Sequence, residues 1–258
     1  NRLKISTQIV LISVSLLIVL GVTLEITSSI TMDISFKQDS YRQLEVGGKV
    51  LLSEIETKKK RALDATQWFE GSARLIESIE KNDREMALKL LKMGLSSFGV
   101  DYIVLTDKDG NVIARPHAPE KFGDNISTQV NIQKAMKGER SVGIEDGALM
   151  KFSIRAGTPI KIKSGEIIGT LSMGYNVADN NLLDSLKEKL TLDLTIFSHD
   201  ERVATTIMKD GQRIIGTKLQ NKKIVNQVLT EGKSYIGEAK IMDRDYITMY
   251  IPLLDVNG

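Results

Sequence analysis

Residues 5–24, ISTQIVLISVSLLIVLGVTL, carry no charge and show no amphipathic alternation. At about 1.5 Å per residue a helix of about twenty residues spans roughly the 30 Å hydrocarbon core of a bilayer. Arg2 and Lys4 precede the run, whereas Glu25 and Asp33 follow it. The positive-inside rule then places the short N-terminal tail in the cytoplasm and the rest of the chain outside. An uncleaved anchor over residues 1–31 is the expectation. A cleaved signal peptide is the other reading, opposed by the length of the run and the lack of an A-x-A site.

Beyond the anchor the pattern turns helical. Val50, Leu51, Ile55, Leu63, Trp68, Leu75, Ile76 and Ile79 recur at helical spacing in a stretch without proline. This predicts one long helix over residues 36–81, loosened at Gly47-Gly48, with Trp68 packed against whatever sheet follows. NDREMALKLLKMG predicts a second short helix, with Asn82 or Asp83 as N-cap and Gly94 as its stop. Residues 32–97 thus form a helical segment.

From Asp101 the period falls to two. Two apolar runs flank Asp109-Gly110, a hairpin signal because that dipeptide accepts positive φ. NIQKAMKGERSVGI predicts a short helix ended by Gly138 and leading into a strand. KFSIRAGTPIKIKSGEIIGTLSMGY predicts further strands that turn at Ser164-Gly165. Strands with helices against them make an α+β module over residues 98–180.

The pattern then repeats. Gly138 and Gly143 recur as Gly232 and Gly237, an offset of 94; Pro159 and Gly165 recur as Pro252 and Gly258, an offset of 93. Two matched spacings at nearly one offset predict a second related module over residues 181–258. The strand that follows Gly165 has its counterpart beyond Gly258, so the repeat predicts a final strand there. The expected architecture is α+β: a long N-terminal helix carrying two tandem PAS-like antiparallel-sheet modules.

Composition narrows the chemistry. The 258 residues hold 35 Lys+Arg against 33 Asp+Glu, no cysteine and two histidines, His117 and His199. The near-balanced charge, with only KKKR at 58–61 as a basic run, speaks against nucleic acid; that run reads as a solvated helix face. Lack of cysteine excludes disulfides, thiolate metal sites and thiol nucleophiles. Neither a metal site nor a cofactor is expected. TIFSHDERVATTI, residues 195–207, gathers a histidine, acids and threonines but reads as a hairpin turning at His199-Asp200-Glu201. Its polar groups sit in one local turn and alternate between faces, unlike a converging triad. No catalytic residue is expected.

Several stretches in combination, DGNVIARPHAPEKFGDNI, AMKGERSVGIE, AGTPIKIKSGEIIGTLSMGY, TIFSHDERVATTI, DGQRIIGTKL and VLTEGKSYIGEAKIMDRDYITMYIPLLDVNG, resemble the extracellular double Cache sensors of bacterial chemoreceptors, sensor kinases and related signalling proteins. The resemblance covers roughly residues 36–258. It implies a membrane-distal module holding a ligand pocket, a membrane-proximal module, a homodimer, and a plasma- or inner-membrane location with the sensor part periplasmic or extracellular. It implies a small-molecule ligand, here an amino acid or organic acid, and leaves its identity open.

A pocket on one sheet face makes polar side chains at strand positions informative. By alternation Ile113, Arg115 and His117 share one face, and Lys151, Ser153 and Arg155 share another. Tyr102 opens the first strand and Tyr175 ends the last. Tyr102, Arg115, His117, Ser153, Arg155 and Tyr175 are therefore the candidate ligand-binding residues. Guanidinium suits a carboxylate through two parallel hydrogen bonds. The expected function is ligand sensing for a transmembrane receptor, with chemotaxis first. Sensor-kinase and cyclic-dinucleotide outputs, or a protein-sensing module without a small ligand, are the alternatives.

Overall fold

A computed structural model describes residues 5–145 and 152–256, apart from the side chains of residues 5–19, 21, 22 and 26. The expected anchor lies for the most part on side chains outside the described residues. Among those described, no helix is long and apolar enough to cross a membrane.

The chain divides into two units, Asn1–Val46 with Tyr235–Tyr250, and Gly47–Ser234 with Ile251–Gly258. Helix α1 (Ile5–Glu70) contributes to both. In the first unit it is joined by an antiparallel hairpin, β10 (Tyr235–Ile241) and β11 (Arg244–Tyr250). Lys37 on α1 lies 3.7 Å from Asp33 and 3.0 Å from Glu238 on β10.

The second unit is built on a five-stranded antiparallel sheet. Its strands are β1 (Tyr102–Asp107), β2 (Val112–Ala114), β3 (Ser141–Glu145), β4 (Ser153–Lys161) and β5 (Ile167–Asn176), in the order β2-β1-β5-β4-β3. The Asp109-Gly110 turn joins β1 to β2, with Gly110 at φ 84°, as its sequence predicts. Ile103, Leu105, Ile154, Ala156, Ile160, Leu171 and Met173 face one way and bury against Ile55, Ala62, Ala65 and Phe69 of α1. Leu75 and Ile79 of α2 (Ala73–Glu80) and Ala87 and Leu91 of α3 (Arg84–Phe98) complete that core. Tyr102, Val104, Val112, Ile126 and Ile132 cluster on the other face. Both faces are covered, so β4 is buried along almost its whole length rather than alternating.

The helices differ from their sequence reading at three places. The long helix ends at Glu70 rather than Lys81. Ser72 turns extended and its side chain accepts from the Leu75 amide at 3.4 Å, starting α2 afresh. Gly47 does not loosen α1; the helix runs through it, and Leu192 presses where a side chain would stand. Gly94 does not stop α3; a Cβ there would lie 2.8 Å from the Phe69 ring, and the left-handed Gly99 is the actual cap. Asp83 caps the start of α3 by accepting from the Met86 amide at 2.9 Å. Asp83→Ala is therefore expected to cost about 1 kcal/mol, read as a lowered urea midpoint at unchanged slope. Trp68, expected against the sheet, is instead 66% exposed, with its edge contacts to Phe69 and Phe98.

After β5 come α5 (Asn180–Leu190) and two short hairpins, β6 (Thr195–Ser198) with β7 (Glu201–Thr205), and β8 (Met208–Lys209) with β9 (Gln212–Arg213). His199 and Asp200 form the tight turn of the first, as predicted. Helix α6 (Lys222–Val225) runs on as a π-helical turn over Asn226–Thr230. Among the described residues these later strands pair only two by two. Gly143 opposes Arg155 on β3–β4, and Gly237 opposes Thr248 on β10–β11.

Candidate ligand site

Helix α4 (Val130–Met136) lies on the sheet face opposite α1. It sits close because Gly157 of β4 has no side chain: a Cβ there would stand 2.6 Å from the Asn131 carbonyl oxygen. On β4 the residues sharing this face are Ser153, Arg155 and Gly157; on β5 they are Thr170, Ser172 and Gly174; on β1 they are Tyr102, Val104 and Thr106. The polar members Ser153, Arg155, Ser172, Thr170, Thr106 and Tyr102 are all buried.

Arg155, Tyr102 and Ser172 form one connected set with Gln129, Asn131 and Glu145. The Arg155 guanidinium lies over the Tyr102 ring at 4.8 Å, and its Nη1 donates to Gln129 Oε1 at 3.1 Å. The Tyr102 hydroxyl is 3.3 Å from Ser172 Oγ, and Asn131 Nδ2 donates to the same Oγ at 2.6 Å. The Asn131 amide donates to Glu145 Oε2 at 3.2 Å. Asn131 Oδ1 and Glu145 Oε1 are buried acceptors with no hydrogen-bond donor among the described residues. A buried acceptor without a donor loses hydration and gains nothing in return, at a cost of about 1–3 kcal/mol. The arrangement is suited to receive a donor from outside the chain.

Burial sets the protonation. The Tyr102 phenol is pushed up to about 12 by loss of water, so it stays a donor throughout the physiological range. Burial likewise raises the Glu145 carboxyl above its ordinary value, against the Asn131 amide and the Arg155 charge that hold it down. His117 is lowered to about 4, first by burial and then by Arg115.

The structure brings Tyr102, Ser153 and Arg155 together on this face. Arg115 and His117 do not extend β2, which ends at Ala114, two residues before Pro116. Proline has no N–H for the ladder, and the chain leaves the sheet as a loop. Arg115 grips that loop: its two terminal nitrogens hold Asp124 at 2.5 and 2.8 Å, and Nη1 also reaches the Lys121 carbonyl. The ion pair holds the Asp124 carboxyl below its usual range. His117 Nδ1 accepts from the Ile103 amide of β1 at 3.4 Å, and its ring stands edge-on to Tyr102. Tyr175 faces the other way. Its hydroxyl donates to the Phe98 carbonyl at 3.3 Å, and Lys58 of α1 lies 4.3 Å above its ring. Lys151 lies outside the described residues.

A proton on His117 would turn Nδ1 from acceptor to donor, facing the Ile103 N–H. The unfolded chain takes that proton near the ordinary 6.5, the folded chain only near 4. Stability is therefore fully present above 6.5 and falls as pH drops from 6.5 towards 4. Melting temperatures at pH 7 and pH 5 should differ more for the wild type than for His117→Gln. Glu145→Gln should act in the opposite sense, because a raised carboxyl contributes stability at low pH and loses it as pH rises through its folded value.

Residues 37–258 match a family described as the double sensory domain of two-component sensor kinases. The chain belongs to this double Cache family. The sensor shares its fold with the Campylobacter jejuni chemoreceptor Tlp3 ligand-binding domain in complex with 4-methylisoleucine (17% identity, 82% of this chain and 84% of that one, TM-score 0.54). It is similar also to the sensor domain of the Vibrio cholerae histidine kinase DctB (11% identity, 84% and 80%, TM-score 0.53). The periplasmic domain of Vibrio cholerae LuxQ is a third such structure (11% identity, 80% and 96%, TM-score 0.50). At these identities the likeness is one of fold. Among curated proteins none matches the chain.

Four residues of the sensor's polar set escape the sequence reading: Gln129, Asn131, Glu145 and Ser172. Ser172 carried a signal. In GTLSMGY, Thr170, Ser172 and Gly174 alternate with Leu171, Met173 and Tyr175, which marks one face as small and polar. Asn131 stands on the buried side of α4 with Ile132 and Ala135. Glu145 ends β3, and nothing in its local pattern distinguishes it from a surface acid. Among the described residues no group of three or more His, Cys, Asp or Glu could hold a metal ion.

Proposed function

We propose that this double Cache chain is the extracytoplasmic sensing part of a transmembrane signal-transduction receptor, and that it binds an amino acid or organic acid on the α4 face of the five-stranded sheet. The observation that carries the reading is the buried guanidinium of Arg155 set among donors and acceptors, two of the acceptors lacking a donor among the described residues. Arg155 and the neutral Tyr102 phenol would take a carboxylate. Glu145 Oε1 and Asn131 Oδ1 would take an ammonium group, whose charge would favour the ionised form of Glu145. Ser153 stands beside Arg155 in the wall. Arg115 and His117 hold the loop that borders the site, and Tyr175 links the sheet to α1 from behind. The whole falls into a distal module over residues 98–180, which binds, and a proximal module over residues 181–258.

The family description favours a sensor kinase as the output; a chemotaxis receptor is the second reading, on the side of the chemoreceptor resemblance in the sequence. Beyond the expected anchor, Ile34, Phe36, Val46 and Val50 expose apolar side chains along α1, which supports a homodimer joined along that helix.

Thermal-shift screening of the chain against amino acids, organic acids and amines tests the reading. A ligand at a hundredfold its Kd stabilises by about 2.7 kcal/mol, roughly 5–10 °C for a domain of this size. A panel in which no amino acid or organic acid raises the melting temperature would sink direct binding.

A further inference from the structure

We infer that residues 251–256, the segment that follows β11, form a strap seated on the β3 edge of the candidate site, so that the strap's position and the state of the site are linked. The strap presupposes the ligand site proposed above and adds a movable wall to it. Gly143 of β3 lies directly opposite Arg155 of β4 and two positions before Glu145. Cross-strand partners share a face, as do residues two apart, so all three line the ligand side. Val142 and Ile144, on either side of Gly143, belong to the core on the helix side.

Gly143 has ordinary backbone, and its lack of a side chain serves contact. A Cβ at this position would stand 2.6 Å from Val256 Cβ and 2.8 Å from Val256 Cα. Val256 therefore fills the volume beside Arg155 that a side chain at 143 would otherwise occupy. Leu253 packs against the main core and fixes the strap at a second point. A ligand that moves Arg155 or Glu145 shifts the shelf under Val256, and by reciprocity a displaced strap alters the site. The strap is thus a route out of the site that does not pass through α1.

The chain has no cysteine, so Val256→Cys places its single thiol on the strap. A seated strap shields that thiol, and adding Gly143→Val, whose side chain would displace residue 256, should speed its labelling by a thiol reagent several-fold. Adding Glu145→Gln or Arg155→Ala in place of Gly143→Val should also speed labelling several-fold, because the shelf is disturbed. Adding Arg213→Ala, whose guanidinium holds Asp184 and the Thr205 carbonyl, should leave the rate unchanged. Circular dichroism identifies any variant that has unfolded, and the isosteric Glu145→Gln decides if Arg155→Ala has. A folded Gly143→Val variant whose thiol is labelled no faster overturns the strap, as do equal rates with and without the site substitutions. No arm contains a ligand, so a failed ligand screen and a failed strap are separate results.

Discussion

Gly174→Ala is expected to destabilise the chain by about 3 kcal/mol, roughly 6–12 °C in melting temperature. Gly174 stands on the central strand β5 between Tyr102 of β1 and Arg155 of β4, its direct partners on either side. A Cβ at Gly174 would overlap the Ile154 carbonyl and come within 3.0 Å of the Tyr102 ring. The backbone oxygen cannot step aside without breaking the β4–β5 ladder. The glycine also leaves the gap across which the Arg155 guanidinium reaches the Tyr102 ring. The substitution should therefore both weaken the sheet and part the two side chains proposed to hold a carboxylate. Gly71→Ala is the control. No atom lies within 4 Å of a Cβ at that position, and its change should stay within about 0.5 kcal/mol. Urea titration of both variants checks the pair.

Arg155→Ala is expected to weaken binding of the strongest stabiliser from the screen about a hundredfold or more. The guanidinium is 4% exposed and brings the main positive charge to a cluster whose other members are neutral or acidic. Its removal takes away a bidentate partner in a place where water competes poorly. Arg155→Lys should recover only part of the loss, since an ammonium is a point donor and does not lie flat on Tyr102. Ser172→Ala should cost far less, because it deletes one shared hydroxyl. Titration calorimetry at one pH separates the three. Equal affinity in wild type and Arg155→Ala would remove Arg155 from the site.

Much of the sheet was legible in the sequence because its signals are local. Asp109-Gly110 and Ser164-Gly165 turn where their backbone preferences direct, and Asp83 caps α3 with its own side chain. Which face each residue presents was less legible, because facing depends on register between strands distant in sequence. Tyr102 pairs with Gly174, so Tyr175, one residue on, points to α1 and Phe98 instead of into the site. A single step reverses the face. Arg115 and His117 were read by extending an alternation past Pro116, where the ladder has ended. The acceptors Asn131 and Glu145 meet only after α4 has folded onto β4 over Gly157, a contact between segments that carry no local mark of each other.

The central claim is that the polar face beneath α4 is where a small molecule binds. The most direct measurement is the crystal structure of the chain with its strongest stabiliser. The account predicts a carboxylate on Arg155 and Tyr102 and, for an amino acid, its ammonium on Glu145 and Asn131. A ligand bound on the α1 side of the sheet, or one that leaves Arg155 untouched, would contradict it.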